Sequence, residues 1–127
     1  MDTLLPWVAV IDDDEAIRRA LLRLLRSAGI PALAFDSADS FLAALPAGAP
    51  CCCVLDVHMP GRSGLELQAL LAQQAPSVGV IIMSGHQTPE EQARALQCGA
   101  LAYLLKPVND QQLLAAIGAT CPSWSLP

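Results

Sequence analysis

Apolar residues recur along the chain in short runs of strand length, and each run is followed by a segment whose apolar positions fall at helical spacing. Trp7-Val8-Ala9-Val10-Ile11 is the first run and ends at Asp12. From Asp14 to Ala28, residues Ile17, Leu21, Leu24, Leu25 and Ala28 share one face, with Arg18, Arg19, Arg23 and Arg26 elsewhere on the wheel; this predicts an amphipathic helix stopped at Gly29. Pro31 to Phe35 predicts a second strand, with the Pro at an edge or at the first position because it has no N–H to give a neighbour. Ser37 to Leu45 predicts a short helix with Phe41, Leu42 and Leu45 inward, ended before Pro46.

The third run, Cys51 to Leu55, stops at Asp56 and is followed by a loop rich in breakers, His58-Met-Pro-Gly-Arg-Ser63. Ser63-Gly-Leu-Glu66 has the form of a capping box and opens a helix to about Gln74, with Pro76 beyond its end. Val78 to Met83 predicts the fourth strand, ahead of Ser84-Gly85. Thr88-Pro89-Glu90-Glu91 combines a hydroxyl cap, a Pro at the first helical position and a Glu three residues after the cap, and Gly99 closes that helix. Ala102 to Leu105 predicts the fifth strand before Lys106-Pro107, and Asn109 caps a last helix to about Ala119. Thr120 to Pro127 reads as a frayed tail after a domain of residues 1–119.

Alternation of this kind predicts an α/β fold: a doubly wound, five-stranded parallel sheet with five flanking helices. In such a sheet the residues at the C-terminal strand ends converge on one crevice. Asp12, Asp13, Asp56, Ser84 and Lys106 all stand at such ends, so residues far apart in sequence become neighbours. Three carboxylates, a hydroxyl and an amine in one crevice suit a divalent cation and a phosphoryl group.

Composition narrows the class. Hydrophobic residues make up 54% and charged residues 15% of the 127 residues, which argues for one domain with a core covered on both faces. A net charge of -5 without a Lys/Arg cluster argues against direct nucleic-acid binding by this domain. No apolar stretch is long enough to span a membrane, and Asp2 is acidic where a signal peptide would be basic, so a cytoplasmic location is expected. The five cysteines fit a reducing compartment as thiols. Cys51-Cys52-Cys53 would alternate between sheet faces in a strand; lacking CxxC spacing, they read as small buried hydrophobes rather than as a metal cluster.

The motifs Ile11-Asp12-Asp13-Asp14-Glu15, Leu55-Asp56-Val57-His58-Met59-Pro60-Gly61, Met83-Ser84-Gly85-His86 and Tyr103-Leu104-Leu105-Lys106-Pro107 together resemble the receiver domain of bacterial two-component response regulators, over roughly residues 6 to 119. The resemblance implies the flavodoxin-like strand order 2-1-3-4-5. It implies Asp56 as the residue that accepts a phosphoryl group, and a Mg²⁺ or Mn²⁺ ion held by Asp13, Asp56 and the backbone carbonyl of His58, with Asp12 helping through water. By the same resemblance Lys106 and Ser84 contact the phosphoryl oxygens, the Lys106–Pro107 peptide is cis, and Ser84 and Tyr103 form a switch that remodels the face from Gln87 through Tyr103 and the last helix. Asp14 is left the ordinary work of a helix cap. Three positions depart from the family's commonest pattern: Ser84 for Thr, Ala102 where an acid is frequent, and Val108 for Phe.

The implied partners are a sensor histidine kinase and an output protein or domain, with a homodimer on phosphorylation as a further expectation. The segments Ser27–Leu42 and Pro60–Leu67 are similar to receivers joined to a C-terminal helix-turn-helix domain. That leaves two output classes: a piece of a DNA-binding transcriptional regulator, or a single-domain regulator that acts by protein binding. The tail, Cys121-Pro-Ser-Trp-Ser-Leu-Pro, lacks a charged helical linker pattern and tilts the expectation toward the second. A phosphatase with an Asp nucleophile would need an Asp-x-Asp motif; Asp56-Val57-His58 lacks the second acid, so turnover of external substrates is not expected.

Overall fold

In the computed structural model, which describes residues 6–86 and 88–120, five strands form one parallel sheet. Strand β1 (Val8–Ile11) is followed by helix α1 (Glu15–Ser27), then by β2 (Ala32–Phe35) and α2 (Ala38–Ala44). Next come β3 (Cys52–Asp56), α3 (Gly64–Gln74), β4 (Gly79–Ser84), α4 (Pro89–Gln97), β5 (Ala102–Leu105) and α5 (Asp110–Thr120). The strand order is β2-β1-β3-β4-β5, as the sequence resemblance implies. Residues 1–5, Gln87 and the tail beyond Thr120 lie outside the described residues, and with them the expectations for Asp2, for the start of the switch face at Gln87 and for a frayed tail.

Period-2 alternation explains the two-layered core. Ala9, Ile11, Cys53, Leu55 and Ile82 point to one face, where Phe41 of α2, Leu67 and Leu71 of α3 and Ala95 of α4 cover them. Val8, Val10, Cys52, Val54 and Met83 point to the other, against Leu21 and Leu25 of α1 and Leu113 and Ile117 of α5. Both faces of β1 and β3 are therefore dry, which is why their sequences read as unbroken apolar runs. Cys52 and Cys53 fall on opposite faces as buried thiols, and burial pushes Cys52 up to about 11, a bond to Thr120 opposing it. Cys51 departs from the expectation of five reduced thiols. It stands just outside β3, its Sγ 3.9 Å from the Thr120 carbonyl at the end of α5, and it is held in a disulfide.

The helix starts follow their caps. Asp14 accepts from the N–H groups of Ala16 and Ile17, Ser37 from Ser40, and Thr88 from Glu91. At α3 both halves of the capping box form: Glu66 N–H donates to Ser63 Oγ at 3.2 Å and Ser63 N–H to Glu66 Oε1 at 2.8 Å. Several boundaries move by a residue: β1 and β2 start at Val8 and Ala32, and β4 is Gly79–Ser84. The third strand is Cys52–Asp56, one residue later than its hydrophobicity predicts, because Asp56 still pairs with Met83. The chain also does not leave helical geometry before Pro46; a single 3₁₀ turn, Leu45–Ala47, carries it through, since a proline near a helix start forfeits no intrahelical bond.

One close approach fixes the loop after β3. A Cβ on Gly64 would lie 2.3 Å from the Asp56 carbonyl oxygen and 3.0 Å from Val57 Cα, so only glycine lets the first turn of α3 abut the strand end, where Gly64 N–H donates to Val57 O at 3.0 Å. Gly64→Ala is expected to lower stability by about 1–3 kcal/mol through backbone displacement. An unchanged urea midpoint for this variant would contradict the tight packing described.

Candidate functional site

Register assembles the crevice. Ile11 pairs with Leu55, so the residues that follow, Asp12 and Asp56, stand side by side; Ser84 pairs with Leu105, so Lys106 emerges beside them. Asp12 is fully buried and Asp56 is 4% exposed, while Asp13 is open to solvent. Ligand oxygens of Asp12, Asp13 and Asp56 can all come within 4.8 Å of one another. Hard carboxylate oxygens at that spacing, one of them facing water, suit an octahedral divalent cation that keeps part of its hydration shell.

Lys106 is the counterweight. Its Nζ donates to Asp12 Oδ2 at 2.9 Å and lies 3.1 Å from Asp56 Oδ1. Burial alone would pull the ammonium down, but the bond and charge of Asp12, then those of Asp56, overcome it and its pKa is raised, so the amine stays charged. For Asp56 the balance falls the other way. Burial, then the Asp12 charge, push its carboxyl above the ordinary value against the opposing Lys106 contacts and a backbone bond from His58. The Lys106–Pro107 peptide is cis.

Local bonds hold the carboxylates still. Asp12 Oδ1 accepts from Asp14 N–H at 2.9 Å, and Arg18 Nη1 donates to the Asp12 carbonyl at 2.8 Å. Helical spacing alone assigns Arg18 to the solvent face; its role here depends on the β1–α1 turn folding back over the first turn of α1. Gly61, at φ +77°, adopts the left-handed conformation that the Met59-Pro60-Gly61 loop requires, with Met59 buried in the core.

Ser84 and Tyr103 sit on the far side of the crevice. Ser84 is fully buried, accepts from His86 N–H at 3.1 Å, and has two acceptors for its one proton, His86 O at 2.8 Å and Glu91 Oε1 at 2.9 Å. Tyr103 donates to the same Glu91 oxygen. His58 projects from the β3–α3 loop with Nε2 3.3 Å from Glu91 Oε2, and its ring meets that of His86 edge to face at 6.2 Å. Glu91, like Arg18, has a role here that its sequence pattern does not signal. Its position three after a cap signals a capping box, and nothing in the chain distinguishes it from Glu66.

An acid whose pKa is higher folded than unfolded binds protons more tightly when folded, so its ionisation opposes folding at neutral pH, and the penalty fades as pH falls into the ordinary carboxylate range. Asp56→Asn is expected to stabilise the metal-free protein at neutral pH by about 0.5–2 kcal/mol, with the gain shrinking in acid. Thermal melts in chelator at neutral and acid pH check this; a variant less stable than wild type at neutral pH would contradict it.

Comparison with known proteins agrees with this geometry. The response regulator receiver domain family matches residues 8–118. The transcriptional regulatory protein FixJ of Bradyrhizobium diazoefficiens is 44% identical over 111 residues, covering 87% of this chain and 54% of the relative. Nodulation protein W of the same organism is 40% identical over 112 residues, covering 88% of this chain and 49% of the relative. The chain thus spans about half the length of these curated relatives. A response regulator receiver protein from Burkholderia phymatum superposes with a TM-score of 0.81 at 40% identity, covering 97% of this chain and 99% of that structure. With four strand-end motifs converging in one crevice and the family matched across almost the whole sheet, this chain belongs to the response regulator receiver domains of two-component signalling.

Proposed function

We propose that this domain accepts a phosphoryl group on Asp56 from the phosphohistidine of a sensor histidine kinase, and that the modification switches the face formed by α4, β5 and α5 toward an output partner. The observation that carries this reading is a nearly buried carboxylate at a strand end, with an ammonium 3.1 Å away and two further carboxylates within metal-binding reach. A carboxylate oxygen of Asp56 forms the new P–O bond as the P–N bond to the donor imidazole breaks, and the departing imidazole nitrogen recovers a proton. Asp13, Asp56 and the His58 carbonyl would hold Mg²⁺ or Mn²⁺, with Asp12 helping through water, and the ion would neutralise charge on the transferring oxygens. Lys106, already charged between two carboxylates, has only to shift its contacts to reach a phosphoryl oxygen, and Ser84 supplies a hydroxyl to another.

An apolar groove lies directly beside this centre. It is lined by Ile17, Leu21 and Leu24 of α1 and by Pro107 and Val108, with Lys106 at its edge, and offers about 420 Å³ to a helix of the phosphodonor. On the opposite flank Leu96, Leu101 and Leu105 are exposed, a surface fit for an output partner or a second copy of the chain. Because relatives twice this length are transcriptional regulators, an output through a DNA-binding domain is the favoured alternative to single-domain signalling; the acidic domain itself is not the DNA-binding part. Among the described residues no helix is long and apolar enough to cross a membrane. The switch is expected to work in the cytoplasm and to hydrolyse its own aspartyl phosphate slowly, without turnover of external substrates.

Intact-mass spectrometry with Mg²⁺ and a small acyl-phosphate donor tests the central step. A phosphoryl adduct is expected in wild type, absent without the cation and absent in Asp56→Ala; an adduct surviving in Asp56→Ala would refute the assignment. Lys106→Ala is expected to slow adduct formation by roughly 10²-fold while leaving cation binding measurable. Mg²⁺ should also raise the melting temperature, corresponding to about 2.7 kcal/mol at a hundredfold excess over its Kd. Asp13→Asn should remove most of that shift, and a full shift in that variant would exclude Asp13 as a ligand.

A further inference from the structure

We propose that Glu91 is a positioning residue for the switch: its carboxylate ties the Ser84 and Tyr103 hydroxyls and the His58 imidazole into one node, which restrains Ser84 until a phosphoryl group on Asp56 draws it away. This rests on the phosphorylation reading above and adds a residue to it.

The cap comparison isolates what is unusual about Glu91. Ser63-Gly-Leu-Glu66 and Thr88-Pro-Glu-Glu91 open α3 and α4 with the same pattern, and both cap hydroxyls accept from the backbone N–H three residues on. Glu66 returns its carboxylate to the cap backbone. Glu91 instead turns inward, its side chain 14% exposed, and takes Ser84 and Tyr103 on Oε1 and His58 on Oε2. One carboxylate thereby joins β4, β5, the β3–α3 loop and the first turn of α4.

Proton counting gives the node its consequence. Ser84 has one hydroxyl proton, and its acceptors in this state are Glu91 and the His86 carbonyl. A bond to an ionised acceptor is stronger than one to a neutral carbonyl, so Glu91 is the main competitor of any phosphoryl oxygen for that proton. When Ser84 leaves, Oε1 keeps only Tyr103, and the first turn of α4 loses a tie to the sheet. Gln68 of α3 holds the far half of α4 through Nε2 donating to Ala95 O at 2.9 Å, so the released end of the helix can pivot about a fixed one.

Tyr103 is the single tyrosine of the chain, so incorporation of 3-fluorotyrosine gives one ¹⁹F resonance that reports on the node without phosphorylation. Glu91→Ala is expected to shift that resonance in the unmodified protein and to raise the initial rate of phosphorylation by acetyl phosphate roughly threefold to tenfold. Glu91→Gln, which keeps the shape and one acceptor oxygen, should fall between the two and covers the case in which the alanine variant fails to fold. In a Ser84→Ala background the gain in rate should vanish, which a merely structural role would not produce. A folded Glu91 variant with an unmoved resonance, or with a rate at or below wild type, overturns the proposal, as does a gain that persists without Ser84. If wild type itself takes no phosphoryl group, the function reading fails separately, and the fluorotyrosine shift alone decides whether the node exists.

Discussion

One ammonium between two buried carboxylates is the constraint on which the rest of the site depends. Asp12 and Asp56 end adjacent strands, both out of water, and Lys106 satisfies an oxygen of each. Removing water strengthens attraction and repulsion alike, so the pair of acids is tolerable only because the lysine is held where both can reach it. With Asp13 at the rim, three carboxylates and one ammonium leave two negative charges at the mouth of the crevice. A divalent cation is the natural complement of that remainder.

The sheet supplies the rigidity this arrangement needs. A shift of one residue between β1 and β3 would send Asp12 and Asp56 to opposite faces and invert every core position of the moved strand. Because β1 and β3 are dry on both faces, that slip is forbidden by the same apolar packing that holds the domain together. Asp56 gains a second restraint from Gly64, whose missing side chain lets α3 press against the Asp56 carbonyl. Stability and the geometry at Asp56 therefore have a common origin.

Much of this was legible in the chain because it rests on local patterns. Apolar runs ending in Asp12, Asp56, Ser84 and Lys106 mark strand ends, and a parallel sheet must bring such ends together whatever the loops do. Boundaries were less legible: the run ending at Leu55 hides the fact that Asp56 still makes ladder bonds, since hydrophobicity stops where pairing does not. Arg18 and Glu91 were illegible for a different reason. Helical spacing assigns one to solvent and a cap pattern assigns the other to the backbone, and only the packing of α1 against the β1–α1 turn, and of α4 over β5, gives either side chain a different partner. Local rules describe what a residue does when nothing else competes for it, and functional sites are where something does.

The position of Tyr103 connects that competition to the surface. Within β5 and its approach, Leu101, Tyr103 and Leu105 fall on the same side of the strand, while Ala102 and Leu104 pack toward α1 and α5. Leu101 and Leu105 are about half exposed, as is Leu96 on α4, so the half-buried tyrosine lies within an apolar surface and is tied by its hydroxyl to the interior. A ring in that position cannot change its hydrogen bond without changing the outline of the surface around it. On the proposed reading, chemistry at Asp56 would reach the surface at β5 through Ser84 and the Glu91 oxygen it shares with Tyr103, by discrete exchange of hydrogen-bond partners and without diffuse deformation of the core.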